Sequence, residues 1–209
     1  MPKRLTEIAE KLRSEIAEQH EARETALAEA RKIIQLSAKT IKHVHRGNFE
    51  DAKKLLEEAE TRARRVAKTL AKYPGILYAP YFQDSLKEYA EAALFTSIVQ
   101  NQPLPTPLAL GVLPQAYLNG LSEAASECRR YALDVLRRGD PEEAKRLADD
   151  MEDIYDELVT FDYPDALMAN LRRNVDALRA VLERTQSDLA VTSMQLELIQ
   201  ELKKQNRTK

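Results

Sequence analysis

Apolar residues recur at intervals of three and four positions in nearly every segment between the Pro and Gly residues of this chain. In the first segment, Leu5, Ile8, Leu12 and Ile16 follow this spacing. It matches the 3.6-residue period of an α-helix and not the alternation of a β-strand. Only 5 of the 209 residues are Gly, which also argues against a turn-rich β fold. The sequence therefore predicts an all-α fold, a bundle-like subunit of six to seven helices.

Pro and Gly residues divide the chain into six predicted long helices. The expected ranges are residues 5–45, 49–72, 81–100, 115–138, 141–159 and 165–202. Asn48 is expected to cap the second helix. Segment 101–114 contains four Pro residues and predicts an ordered apolar loop, because each ring removes a backbone donor. We expect one domain over residues 1–209, with residues 203–209 as a frayed tail.

Three absences narrow the class of protein. Cys128 is the single Cys, so no internal disulfide can form, and we expect a reducing, cytoplasmic location. No run of 18 apolar residues is present, so the sequence predicts no membrane span. The residues after Met1 become polar and acidic at once, so we expect no secretory signal.

Carboxylates on two predicted neighbouring helices form the first candidate site. Glu88 and Glu91 lie one turn apart on the third long helix, where apolar residues point in almost every direction and indicate burial. Glu123 and Glu127 lie one turn apart on the fourth. The two helices are consecutive and are expected to pack antiparallel. Four carboxylates between them would suit Mg²⁺ or Mn²⁺, which prefer oxygen ligands.

Other interpretations of these acids stay open at this point. Glu-x-x-Glu spacing also occurs at Glu7 and Glu10 and elsewhere, so both pairs could be solvated helix faces. A di-iron site is disfavoured because no Glu lies three positions before a His. Zinc is disfavoured because His43 and His45 diverge on a helix and the one Cys is distant.

Basic residues define the second candidate site. The first 72 residues carry 17 Lys and Arg against 12 Asp and Glu, whereas the remaining residues carry 15 against 22. Residues at helical spacing form one stripe near the end of the first helix and another on the second. The predicted nucleic-acid-binding residues are Lys39, Lys42, His43, Arg46, Arg65, Lys68 and Lys72. Both stripes could hold phosphates, and they could equally be charged faces paired with neighbouring acids.

Three stretches of the chain resemble the family of translin and translin-associated factor X. The first joins His20-Glu-Ala-Arg-Glu-Thr to Ile41-Lys-His-Val-His-Arg46. The second is Ser85-Leu-Lys-Glu-Tyr-Ala-Glu-Ala-Ala-Leu-Phe95. The third is Pro114-Gln-Ala-Tyr-Leu-Asn-Gly-Leu-Ser-Glu-Ala-Ala-Ser-Glu-Cys128, continuing to Arg138-Gly-Asp140. The resemblance spans roughly residues 20–190 and implies an all-helical subunit that forms a closed homo-oligomer, an octamer, around single-stranded nucleic acid.

The factor X branch of this family cuts RNA with magnesium through a cluster of carboxylates. Its Glu-Tyr-x-Glu-Ala motif is similar to Glu88-Tyr-Ala-Glu-Ala92, which implies catalytic and metal-binding roles for Glu88 and Glu91. A later acid, usually Asp in that branch, falls on Glu123, and another falls on Glu127. The long insertion of eukaryotic members after the third helix is missing, so the chain looks like a prokaryotic, archaeal version that assembles with itself.

We therefore predict a Mg²⁺- or Mn²⁺-dependent endoribonuclease that cleaves single-stranded RNA, with a metal-activated water as the nucleophile. A non-catalytic oligomer of the translin type that binds single-stranded RNA or DNA is the first alternative, and it would use the acids structurally. A helical scaffold protein with both charge features on its surface is the second. Metal-dependent cleavage of labelled RNA distinguishes the predicted enzyme from both, and binding without cleavage distinguishes the two alternatives.

Overall fold

A computed structural model describes the backbone of residues 2–207 and the side chains of residues 4–196, 198, 199 and 202. Within these residues the chain forms six long helices, three single-turn helices and no strand, and none of the helices is long and apolar enough to cross a membrane. In chain order they are α1 Pro2–His45, α2 Phe49–Leu70, α3 Pro74–Leu77, α4 Pro80–Val99, α5 Pro107–Leu110, α6 Pro114–Arg137, α7 Pro141–Leu158, α8 Asp165–Met168 and α9 Leu171–Arg207. The prediction of an all-α, bundle-like subunit is confirmed.

Helices α4 and α6 form the centre of the bundle. α4 packs on α1 and α6, and α6 also packs on α7 and α9. The two helices run parallel: Lys87 meets Glu123 in the first half of both, and the rings of Phe95 and Tyr131 lie 6.4 Å apart further along. The predicted antiparallel arrangement is therefore wrong. The connection of residues 100–113 can extend up to about 46 Å, which is longer than the roughly 30 Å of α4, so the chain can return to the start of its neighbour.

α4 is buried on nearly all sides, as its apolar residues predicted. Tyr89, Leu94 and Phe95 are at most 1% exposed. Glu91 belongs to the same helix and is carried with these residues into the interior, where it is 8% exposed. The sequence pattern of α4 thus determines that one candidate site residue is withdrawn from water.

Two helix ends differ from the predicted ones because of local backbone geometry. α2 ends at Leu70, and Asn48 precedes this helix without a side-chain capping hydrogen bond, contrary to expectation. The backbone ψ angle of Asn48 is 64°, which is not the extended conformation from which a capping side chain normally reaches the helix. Segment 101–114 is not irregular throughout, because Thr106 accepts a hydrogen bond from the Ala109 N–H and begins the single turn of α5.

The sixth predicted long helix is divided in two. Ala169 and Asn170 have positive φ angles of 49° and 69°, and these residues separate α8 from α9, which begins at Leu171. Left-handed backbone cannot continue a right-handed helix. α9 continues to Arg207, beyond the predicted end at Leu202. Of the tail expected at residues 203–209, the last two residues lie outside the described part of the chain.

Gly120 sets the distance between α4 and α6. A Cβ atom at this position would lie 2.9 Å from the carbonyl oxygen of Lys87, 3.0 Å from the nitrogen of Glu91 and 3.1 Å from the Cβ of Ala90. The first two contacts are with backbone, which cannot turn away as a flexible side chain can. Because Gly has no Cβ, α6 can lie directly against the α4 backbone.

We predict that Gly120→Ala lowers the free energy of unfolding by about 1–3 kcal/mol, because the added methyl group overpacks the contact between α4 and α6. Gly75→Ala is the matched control, since a Cβ at Gly75 meets nothing within 4 Å and this variant should stay within about 0.5 kcal/mol of the original chain. Urea unfolding of both variants measures the difference. If the two variants have equal free energies of unfolding, α4 and α6 can move apart to accept the methyl group without loss of stability.

Candidate functional site

Three carboxylates from α4 and α6 lie together. One oxygen from each of Glu88, Glu91 and Glu123 lies within 4.8 Å of the others. Glu88 and Glu91 are one turn apart on α4, and Glu123 is one turn after Gly120 on α6. Because α6 touches the α4 backbone at Gly120, Glu123 reaches the same space as the two α4 acids. We call these three residues the carboxylate cluster.

Lys87 supplies a positive charge to the carboxylate cluster. Its Nζ lies 3.0 Å from Glu88 Oε1 and donates a hydrogen bond to Glu123 Oε2. Burial alone would lower the pKa of Lys87, but the hydrogen bonds and charges of Glu123 and Glu88 outweigh it, so the pKa lies above its ordinary value. The sequence analysis overlooked this residue. The available signal was its position, immediately before Glu88 in the acidic motif.

Glu91 is the most deeply buried acid of the cluster. Among the described residues none donates a hydrogen bond to its carboxylate. Removal from water raises the pKa of Glu91 to about 8, and the negative charges of Glu123 and Glu88 add to this effect while Lys87 opposes it. In the metal-free protein Glu91 therefore holds a proton at neutral pH, and a bound cation would favour its ionised form.

Asn174 of α9 holds Glu123, and Asn119 of α6 holds Asn174 in turn. Asn174 donates hydrogen bonds to Glu123 Oε1 at 3.2 Å and to Asn119 Oδ1 at 2.8 Å. Asn119 in turn donates to the backbone oxygens of Gln115 and Met168, each at 2.8 Å. The network fixes the orientation of Glu123 against three helices. Asn174 lies 51 positions after Glu123, and no local sequence pattern indicated it.

Glu127, the fourth predicted acid, is not part of the carboxylate cluster and pairs with a His residue. Its Oε2 lies 2.7 Å from Nε2 of His45, whose side chain is 4% exposed. The His45 ring also lies 4.9 Å from Phe95 and 6.2 Å from Tyr131. This hydrogen bond lowers the pKa of Glu127 although burial raises it. From the sequence, His45 was weighed as a metal ligand, and its pairing with Glu127 was not predicted.

The carboxylate cluster has the chemistry of a site for a hard divalent cation. Carboxylate oxygens are the ligands that Mg²⁺ and Mn²⁺ prefer. Lys87 shows that this space already accommodates a cation, and the buried Glu91 has no hydrogen-bond donor among the described residues to stabilise its charge. Glu88, Glu91 and Glu123 are thus the residues that could hold a metal.

The first basic stripe is exposed along α1. Lys39, Lys42 and Arg46 are exposed and form no ion pair with any acidic side chain that the structure describes. In a helical projection of α1, Lys39 and Lys42 lie about 120° and 60° from His45 on the same side of it, and Arg46 follows directly after the last residue of the helix. His43 is half-buried and lies about 160° away from His45. The first three residues therefore flank the α1 face that contacts Glu127.

The predicted basic residues of the second stripe have mixed surroundings. Arg65 forms an ion pair with Glu29 at 3.1 Å. The Nζ of Lys72 lies 5.0 Å from the ring centroid of Tyr73. Lys68 is exposed. Because Arg65 has a carboxylate partner, this stripe is a weaker candidate for binding phosphates than the α1 stripe.

We predict that the free energy of unfolding of the metal-free protein falls less steeply with rising pH in Glu91→Gln than in the original chain. Between pH 4.5 and 8 the unfolded chain has lost the Glu91 proton whereas the folded chain retains it, so the free energy of unfolding falls as pH rises. The slope is at most about 1.4 kcal/mol per pH unit. Urea unfolding in EDTA from pH 5 to 9 tests this, with Glu152→Gln on the exposed face of α7 as control. Identical slopes in all three proteins would refute the prediction.

Comparison with known proteins identifies the family to which the chain belongs. The sequence model of the Translin family matches residues 3–187. An uncharacterised protein of Methanocaldococcus jannaschii is 28% identical over 191 residues, which cover 90% of this chain and 84% of that protein. A solved structure of AfC3PO with duplex RNA has a TM-score of 0.84 and 34% identity, covering 89% of this chain and 96% of that one. The crystal structure of apo-NeC3PO has a TM-score of 0.79 and 26% identity, with coverage of 88% and 96%. The match over residues 3–187, together with the helical fold, shows that this chain belongs to the translin family.

Proposed function

We propose that this protein is an endoribonuclease that binds RNA as a homo-oligomer and cleaves it with Mg²⁺ or Mn²⁺. The observation that carries the proposal is the carboxylate cluster of Glu88, Glu91 and Glu123 on two parallel helices. Membership of the translin family and the similarity to AfC3PO, a protein solved with duplex RNA, support RNA as the ligand. We propose single-stranded RNA as the substrate.

Each residue of the site has a proposed part in cleavage. The metal, when bound, would supply an activated water and charge stabilisation at the phosphodiester. Glu88, Glu91 and Glu123 would hold it, and Asn174 would keep the Glu123 carboxylate aimed at it. Glu127 would serve as the fourth acid from the position that its hydrogen bond to the α1 His fixes.

RNA binding is proposed for the exposed stripe of Lys39, Lys42 and Arg46. Cationic side chains that are free of carboxylate partners can neutralise phosphates without first breaking an ion pair. The stripe flanks the α1 face from which His45 contacts Glu127, so a strand held there would pass near this acid. A longer strand would also contact the other predicted basic residues, which are His43, Arg65, Lys68 and Lys72.

Assembly is proposed through two helix ends whose apolar side chains the single chain leaves uncovered. They are Leu5, Ile8, Leu12 and Ile16 of α1 and Val191, Met194, Leu198, Ile199 and Leu202 of α9. By contrast, Leu178 and Leu182 earlier in α9 are buried in the core. Contiguous exposed apolar surface is typical of an interface. We propose a homo-oligomer, and the octamer remains the state that the family resemblance implies.

A second candidate function is binding of RNA without cleavage. Lys87 favours it, because its ammonium pairs with Glu88 and Glu123 and gives these acids a structural partner that needs no metal. In that case the carboxylate cluster would join α4 to α6, and the basic stripes alone would carry the function.

We predict that Glu91→Gln reduces Mn²⁺-dependent cleavage of labelled single-stranded RNA by at least about 100-fold, because an amide is a poor metal ligand and the metal contributes several kcal/mol to catalysis. RNA affinity should change less than about twofold, since most of the proposed phosphate contacts lie in the basic stripes and not in the cluster. Glu152→Gln should behave as the original protein in both assays. Full cleavage by Glu91→Gln would exclude Glu91 from the site. If the original protein cleaves RNA with no metal tested, the second candidate function, RNA binding without cleavage, would replace the first.

We also predict that replacing Lys39, Lys42 and Arg46 together by Ala weakens RNA binding in a salt-dependent way. Each phosphate contact contributes about 0.7 to the slope of log affinity against log salt, so the slope should flatten by about 2. Different RNA sequences should be weakened alike, and single-turnover cleavage at saturating RNA should fall much less. The matched control replaces Lys53, Lys145 and Arg184, three exposed cations on other helices. An equal change of slope in both triple variants would show only a loss of net charge.

A further inference from the structure

Lys87 occupies the space between two of the acids that are proposed to hold the metal. It lies on α4 directly before Glu88, and its Nζ contacts one oxygen of Glu88 at 3.0 Å and Oε2 of Glu123. Its side chain is 20% exposed. The ammonium thus bridges the two central helices through two of the three carboxylates that could hold a divalent cation.

We propose that Lys87 is a built-in counter-ion of the carboxylate cluster, which a divalent cation must displace and which therefore sets the metal concentration at which the site is loaded. The proposal rests on the proposed metal-dependent function and adds a control of metal binding to it. An ammonium group and a divalent cation repel each other and compete for the same carboxylate oxygens. Lys87 thus pairs with the acids when no metal is bound, and metal replaces it only when the metal concentration is high enough.

The surroundings of Lys87 allow this exchange without loss of the site. Glu123 is held at its other oxygen, Oε1, by Asn174, so its orientation does not depend on Lys87. A Lys side chain has a flexible four-carbon stem, and the exposed fifth of this one gives the ammonium a path toward solvent. Displacement by metal would therefore move one side chain and leave the two helices in place.

A purely structural role for Lys87 makes a different prediction. If the residue only stabilises the helix pair, neutral variants should unfold more easily and bind metal no more tightly. If it competes with metal, the same variants should unfold more easily in EDTA and bind metal more tightly. Metal affinity, measured without RNA, therefore separates the two roles.

The test is calorimetric titration of Mn²⁺ into the full chain and its Lys87→Met, Lys87→Gln and Lys87→Arg variants. The dissociation constant for Mn²⁺ should fall by about tenfold or more in the Met and Gln variants and stay within about threefold of the original in the Arg variant, which keeps the charge. Lys53→Met, an exposed cation of α2, is the matched control and should change nothing. Thermal unfolding with and without Mn²⁺ gives a second readout, in which the metal-induced rise in Tm should be larger for the two neutral variants.

The outcomes separate this inference from the proposed function. Unchanged or weaker Mn²⁺ binding in the neutral variants would overturn the competition by Lys87 while leaving the metal site intact. Binding by the neutral variants but not by the original chain would support the inference and overturn metal-dependent cleavage by the natural protein. Absence of Mn²⁺ binding at millimolar concentration in every variant would overturn both. If Lys87→Met does not fold, the Gln and Arg pair decides the question.

Discussion

The contact between Gly120 and the backbone of α4 is the constraint on which the rest of the centre depends. Cβ atoms hold most packed helices apart, whereas here α6 meets the Lys87 carbonyl and the Glu91 nitrogen directly. Residues one turn away on either helix are then within reach of one another, and Glu123 joins Glu88 and Glu91 for this reason. The candidate site is a consequence of how closely two backbones approach.

That approach creates an electrostatic problem, which the structure solves in three ways. Lys87 balances Glu88 and Glu123, Asn174 satisfies one oxygen of Glu123, and Glu91 is kept neutral by the rise of its pKa to about 8. A bound divalent cation would offset two of the three negative charges, would take the place of Lys87 as counter-ion and would favour the ionised form of Glu91. The metal-free arrangement described here and a metal-loaded one would thus be two ways to reduce the repulsion among the same three acids.

Most of the fold was predictable from the sequence, because helical periodicity is local and Pro and Gly mark most boundaries. The direction of α6 was not, since it depends on the path of the connection after α4 and not on periodicity. Among the site residues, Glu88, Glu91 and Glu123 were predictable as acids on adjoining helices. Lys87 was not, because a Lys on a helix is normally solvated, and the pairing of His45 with Glu127 joins residues 82 positions apart.

α1 combines three features in one uninterrupted helix of 44 residues: the uncovered apolar end, the basic stripe and the His45 contact. After Pro2 it contains neither Pro nor Gly, so it extends for about 66 Å with a constant angular phase. Insertion of a single residue halfway along would preserve every one of these features and rotate the apolar end by about 100° relative to the other two. In the proposed homo-oligomer, the length of α1, counted in whole residues, would therefore set the angle between the proposed subunit contact and the proposed RNA-binding stripe.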